Sequence, residues 1–182
     1  MNVINCEIPG LVVVEPKVFG DARGFFMETW NRQHYRAAGL NWNFVQDNVS
    51  LSRQGTLRGL HFQNPAPQGK LVFVLQGEVF DVAVDLRRSS PTFGRWHGLN
   101  LSVENKKQFF IPPGFAHGFA VLSETALFAY KCTELYSPQH ELTLAWNDPD
   151  LGIPWPLENP QLSEKDKRGL RLKDLPQDRL FA

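Results

Sequence analysis

Cysteine is nearly absent from these 182 residues, with Cys6 and Cys132 the only two. Two isolated thiols make neither a disulfide framework nor a clustered zinc site, and they read as reduced cysteines of a cytosolic protein. Net charge is missing as well, because 19 Lys and Arg balance 19 Asp and Glu. There is no global positive field to gather nucleic acid or an anionic membrane, so any bound anion must be held by local charges. Long apolar runs are also lacking. No stretch approaches the roughly 18 apolar residues of a membrane span, and MNVINCEIPG at the start has neither the basic opening nor the apolar run of a signal peptide. A cytoplasmic location is expected, with no nucleic acid and no membrane as partner. No repeat, low-complexity segment or linker composition marks a boundary, and the length suits one domain over 1–182.

What is there is strand after strand, punctuated by Gly and Pro. In 78–86, Phe80, Val82, Val84 and Leu86 alternate with Asp81 and Asp85, the period of two of a half-buried strand. KLVFVLQ (70–76) precedes it across Gly77, which reads as a hairpin or bulge position. Further strands are expected at 11–14, 99–103, 108–111, 117–122 and 126–135. Two short helices are expected beside them. One covers 31–38, with Asn31 as N-cap and Gly39 at its end, and the other 163–169, opened by a Ser-x-x-Asp cap. Between 148 and 160, DPDLGIPWPLENP is too rich in proline for regular structure and reads as a strap held by Trp146 and Trp155. The fold class is all-β with a few short peripheral helices.

IPPGFAHGF (111–119) resembles the second sequence motif of the cupins, small jelly-roll barrels whose mouths hold metals or organic ligands. A metal-binding cupin needs His-x-His and a carboxylate in its first motif. Here the stretch is His61-Phe62-Gln63, inside RGLHFQ (58–63), and the second histidine is absent. No metal site is expected, which leaves the chemistry to side chains such as His61, Lys70 and Tyr130. Arg58 and His61 raise a geometric question. Three positions apart, they would point to opposite faces of an ideal strand, so a shared face requires a kink or bulge at Gly59.

Six longer segments, FGDARGFFMETW (19–30), QDNVSLSRQGTLRGLHFQ (46–63), GKLVFVLQGEVFDVAVDLRRSSPTFGRW (69–96), IPPGFAHGFAVLS (111–123), YKCTELYSPQHE (130–141) and WNDPDLGIPWP (146–156), are followed by LSEKD (162–166). In this order they resemble the dTDP-4-dehydrorhamnose 3,5-epimerases over almost the whole chain. The resemblance implies a cupin-type jelly-roll homodimer. It would act without a cofactor on a dTDP-linked 4-keto-6-deoxyhexose, in the pathway to dTDP-L-rhamnose.

In such a sugar, C3 and C5 flank the carbonyl, so inversion needs a base on one face, an acid on the other and a stabiliser for the enolate oxygen. Histidine suits the base near neutral pH. The resemblance assigns the base to His61, its carboxylate partner to Asp166, the oxyanion-facing cation to Lys70 and the acid to Tyr130. Arg23, Arg58 and His117 match positions that contact the nucleotide sugar, where arginine forks suit phosphate oxygens. Glu28, Gln46, Asn48, Glu141 and Lys165 match further binding positions, and Tyr136 matches an aromatic that stacks on thymine. Residues near Arg23 are expected to cross over and complete the neighbour's site.

Taken without the resemblance, the same residues have plainer readings. His61 could be a core or surface histidine, Asp166 could complete its helix cap, Tyr130 could fill the barrel and Lys70 could be a solvated edge residue. Two other functions stay open: a related epimerase that inverts only C3 or only C5, and a sugar-nucleotide-binding cupin without catalysis.

Overall fold

The computed structural model describes residues 1–182. Its elements are β1 (Asn2–Asn5), β2 (Val12–Glu15), β3 (Val18–Asp21), β4 (Gly24–Met27), α1 (Arg32–Ala37), β5 (Gln46–Arg53), β6 (Leu57–Gln63), β7 (Lys70–Gln76), β8 (Glu78–Asp85), β9 (Trp96–Ser102), β10 (Gln108–Ile111), β11 (Phe115–Val121), β12 (Thr125–Cys132), β13 (Glu141–Thr143) and α2 (Glu164–Lys167), with three single turns of 3-10 helix near the end. One sheet has the order β1-β2-β10-β7-β12-β5 and the other β13-β6-β11-β8-β9. All pairings within them are antiparallel, and the two sheets face each other as a jelly roll. β3 and β4 form a separate two-stranded hairpin.

Three apolar clusters hold the layers together. The barrel interior contains Val72, Val74, Val79, Ala83, Phe109, Ile111, Phe119 and Phe128. Outside the five-stranded sheet, Leu60, Phe62, Val82, Val84 and Leu86 meet Leu151, Leu175 and Leu180 of the C-terminal strap. Each leucine buried there contributes about 1.5–3 kcal/mol. Trp155 fixes the strap by donating its indole N–H to the Trp146 carbonyl at 2.7 Å, as expected for this proline-rich stretch. Outside the six-stranded sheet, Tyr35 and Leu40 from α1 and its exit cover Val12, Val14, Leu71 and Phe110.

Both helices start where their caps place them. The Asn31 side chain accepts from the backbone N–H of Gln33 and His34, and the Ser163 hydroxyl accepts from that of Asp166.

Two strand expectations need correction. Lys70–Gln76 and Glu78–Asp85 are strands, but they belong to different sheets and form no hairpin. Gly77 is the corner between the sheets, at φ +80 and so close to Thr125 and Ser123 that a Cβ has no room. A register shift lies just before it, where Leu127 and Phe128 of β12 oppose Gln76 and Val74. The aspartates of β8 are not solvated either, since Asp81 and Asp85 are both fully buried. The apolar row of β8 faces the strap, and its Asp row faces the barrel interior. There Asp85 accepts hydrogen bonds from Arg87, Ser90 and Thr92.

Candidate active site

Sheet order brings β7, β12 and β5 of one wall opposite β6, β11 and β13 of the other. Between them opens a cavity of about 310 Å³, lined by polar groups from both walls. This lies within the usual range for ligand pockets, about 300–1,000 Å³.

The two members of RGLHFQ that matter both reach it. Across the β6–β11 ladder, His61 opposes His117 and Arg58 opposes Phe119. Gly59 and Leu60 therefore stand against the single residue Gly118, which is a bulge. Gly59 has φ +121, and a Cβ on it would lie 2.5 Å from the Gly118 Cα. Two glycines facing each other allow the strands to close on the bulge, and the extra residue returns Arg58 and His61 to the same side.

His61 Nε2 lies 2.5 Å from Oδ1 of Asp166. The other carboxylate oxygen, Oδ2, accepts the Ser163 hydroxyl at 2.7 Å. Asp166 therefore bonds the hydroxyl of its helix's cap residue and holds the imidazole at once. It is 3% exposed. Burial pushes its pKa up, but the hydrogen bond and charge of His61, with the Ser163 hydroxyl, outweigh this and hold it below the usual carboxylate value. A carboxylate on Nε2 fixes the tautomer with hydrogen there and leaves Nδ1 as the basic nitrogen.

Lys70 starts β7 between β10 and β12, opposite Ile111 and Cys132. It is a residue of a central strand, and the solvated-edge reading falls away. Burial lowers its pKa, while the Glu141 and Asp81 carboxylates pull it back up. Tyr130 lies on the same sheet, between Asn48 of β5 and Val72 of β7, and so on the wall opposite His61. Burial raises its pKa above the ordinary phenol value, with Arg58 acting in the other direction.

Towards the mouth, Glu141 Oε2 accepts from the Tyr136 hydroxyl at 2.9 Å and from Lys165 Nζ at 2.8 Å. Gln46 accepts the Tyr136 backbone N–H at 2.9 Å and donates to Asn48 at 3.0 Å. Gln63 fills the place of the second cupin histidine. Its side chain donates to the Ala66 and Leu135 carbonyls and accepts the Ser137 N–H, tying the segment that carries Tyr136 to β6. No group of three or more His, Cys, Asp or Glu side chains is placed to hold a metal ion.

Of the residues expected at the site, His61, Lys70, Tyr130, Gln46, Asn48, Arg58, His117, Tyr136, Glu141 and Lys165 line the cavity, with Asp166 directly behind His61. Within one chain, Arg23 and Glu28 lie outside the cavity: Arg23 sits in the turn between β3 and β4, paired with Asp21, and Glu28 bonds His34 and Asn31. His117 is no free cation, for it is buried and its Nε2 bonds Asp81 at 2.9 and 3.0 Å. Burial holds its pKa below the ordinary histidine value against the pull of Asp81. Asp81 was missed because its alternation with Phe80 and Val82 reads as a solvated face. Ser50, Phe119, Phe128 and Cys132 also line the cavity and carry no chemical signature in sequence.

The chain and its fold are similar to known proteins over nearly their whole length. Over 176 residues the chain is 56% identical to a dTDP-4-dehydrorhamnose 3,5-epimerase of Shigella flexneri, covering 96% of this chain and 97% of that one. Its structure matches a dTDP-6-deoxy-D-glucose-3,5-epimerase from Legionella pneumophila in complex with dTDP-4-keto-L-rhamnose, with TM-score 0.96, 54% identity and coverage of 99% and 97%. A dTDP-4-dehydrorhamnose 3,5-epimerase from Bacillus anthracis with TDP and pyrophosphate bound matches with TM-score 0.91, 47% identity and coverage of 93% and 98%. The family model for dTDP-4-dehydrorhamnose 3,5-epimerase matches residues 5–174, a span that includes every residue lining the cavity and Asp166 behind it: the chain belongs to the dTDP-4-dehydrorhamnose 3,5-epimerase family.

Proposed function

We propose that the protein converts dTDP-4-dehydro-6-deoxy-D-glucose to dTDP-4-dehydro-L-rhamnose by inverting C3 and C5, in the formation of dTDP-L-rhamnose, with no metal or organic cofactor. The observation that carries this reading is the placement of an Asp-backed histidine on one wall of the cavity and a protonated tyrosine on the other.

His61 Nδ1 takes the proton from the carbon next to the ketone, and the C–H electron pair moves through the new C=C bond onto the C4 oxygen. Asp166 stabilises the imidazolium that forms. Lys70, already desolvated, places its ammonium beside the enolate oxygen, where a fixed charge counts most. Tyr130 gives its hydroxyl proton to the opposite face of the same carbon, and water then restores both groups. The sequence repeats at the second carbon. Arg58, Gln46, Asn48, Glu141, Lys165 and the neutral His117 hold the nucleotide sugar, and Tyr136 at the mouth stacks on thymine.

The whole chain, 1–182, acts as one jelly-roll domain in a homodimer. Phe19, Phe25 and Phe26 of the hairpin are 52%, 52% and 68% exposed, and Val49 and Leu51 on the outer face of edge strand β5 are 62% and 64% exposed. Apolar side chains concentrated at a hairpin and an open edge suit a second copy. Its hairpin brings Arg23 and Glu28 to the neighbouring cavity, where a single chain lacks them. Two unpaired thiols suit a reducing cytoplasm.

The test is an NMR assay with dTDP-4-keto-6-deoxyglucose in deuterated water. Deuterium at both C3 and C5 with an L-configured product is expected. Exchange at one carbon only would make the protein a single-site epimerase, and none at either would make it a binder.

A further inference from the structure

β5 turns alternate residues inward, and Gln46, Asn48 and Ser50 all line the cavity. Ser52, next in that row, does not reach the cavity. It is 5% exposed, and its Oγ accepts Nε–H of Arg58 at 3.0 Å. This bond crosses from one sheet to the other, meeting Arg58 just before the Gly59 bulge.

A guanidinium carries five N–H donors in one plane. Ser52 takes the Nε–H donor, and the four on the terminal nitrogens have no protein partner in a side chain that lines the cavity. Unanchored, such a side chain loses much rotamer freedom on binding. With Nε held, rotation about Cδ–Nε is fixed and the terminal nitrogens form a preset fork for two oxygen atoms.

We propose that Ser52 is a positioning residue for Arg58, setting its guanidinium as a two-donor fork for oxygens of the bound nucleotide sugar. This rests on the function proposed above. Those oxygens belong either to the hexose or to the diphosphate.

The experiment measures affinity for dTDP and for unreactive dTDP-glucose, together with kcat, KM and thermal stability, in wild type, Ser52→Ala, Ser52→Thr, Arg58→Lys and the Arg58→Lys/Ser52→Ala double variant. Ser52→Ala should weaken binding about tenfold, as expected for one lost hydrogen bond to a charged group. The effect should appear in KM more than in kcat, and Ser52→Thr should restore most of it. Loss with both ligands assigns the fork to the diphosphate, and loss with dTDP-glucose alone assigns it to the hexose. Arg58→Lys has no Nε–H, so adding Ser52→Ala to it should change affinity no further.

Unchanged affinity with reduced thermal stability would overturn the proposal, making the bond only a tie between sheets. An equal loss from Ser52→Ala in the Arg58→Lys background would overturn it too. Failure of the wild type to bind either ligand would overturn the functional reading along with it, whereas wild-type binding and turnover with a silent Ser52→Ala overturns the role of Ser52 alone.

Discussion

His61 and Asp166 stand 105 positions apart in the chain and share one hydrogen bond of 2.5 Å, made by a carboxylate whose other oxygen accepts the hydroxyl of the helix cap, Ser163. A place against the helix cap and a place behind His61 are thus not alternatives for Asp166. The cap holds the carboxylate in place, and the carboxylate orients the ring.

That pair makes stability depend on acid. The Asp166 pKa is lower in the folded chain than its ordinary value, so its contribution is fully present above about pH 4 and is lost as pH falls through the folded value. Urea unfolding of Asp166→Asn should show a flatter loss of stability below pH 4 than wild type. Its kcat at neutral pH should fall about 100- to 10,000-fold, because an amide leaves the tautomer and the imidazolium unsupported. An unchanged acid limb would remove the pair from the stability account.

Lys70 differs in that its buried charge costs stability. Its pKa is lowered by burial, so between that value and about 10.4 the unfolded chain binds more protons than the folded one, and stability rises with pH across this window. Lys70→Met should be more stable than wild type at pH 7 and lose the alkaline rise, while kcat falls about 100- to 1,000-fold. Denaturant titrations at pH 7 and pH 10 check the sign, and a variant less stable at pH 7 would contradict it.

The dimer can be tested by mixing two damaged chains. If Arg23 acts in the neighbour's cavity, Arg23→Ala and His61→Asn chains refolded together form mixed dimers with one intact site each. Roughly a quarter of wild-type activity should return from statistical mixing. If Arg23 acts within its own chain, no mixture regains activity.

How far the sequence could be read depends on which way each strand faces. Lys70–Gln76 and Gln108–Ile111 were legible to the residue, because their apolar residues are buried against both faces of a central sheet. β5 was missed because its pattern is inverted: Gln46, Asn48, Ser50 and Ser52 face the barrel, and Val49 and Leu51 face out. A strand that lines a binding cavity at a sheet edge carries polarity inside, and alternation alone cannot say which side is in. The same ambiguity hid the Asp81–His117 pair.

Local chemistry was more legible. The spacing of Arg58 and His61 required a kink or bulge at Gly59 only if the two shared a face, and the structure supplies both the shared face and the bulge; both caps followed from Asn31 and Ser163. His61, Asp166, Lys70 and Tyr130 were found through the ordered family segments, since nothing in their spacing shows that they meet. Arg23 and Glu28 were identified the same way; they lie outside the cavity of a single chain, and only in the proposed homodimer would they reach one.

The most direct test of acid and base on opposite walls is Tyr130→Phe assayed in deuterated water, following solvent exchange at C3 and C5 and formation of inverted product in the same sample. With His61, Asp166 and Lys70 intact, the enolate still forms and is quenched on its original face. Exchange should therefore persist while inversion falls about 100- to 10,000-fold, the range for a lost general acid. His61→Asn should abolish both. If exchange and inversion fall equally in Tyr130→Phe, the two-wall account is wrong and Tyr130 only positions the sugar.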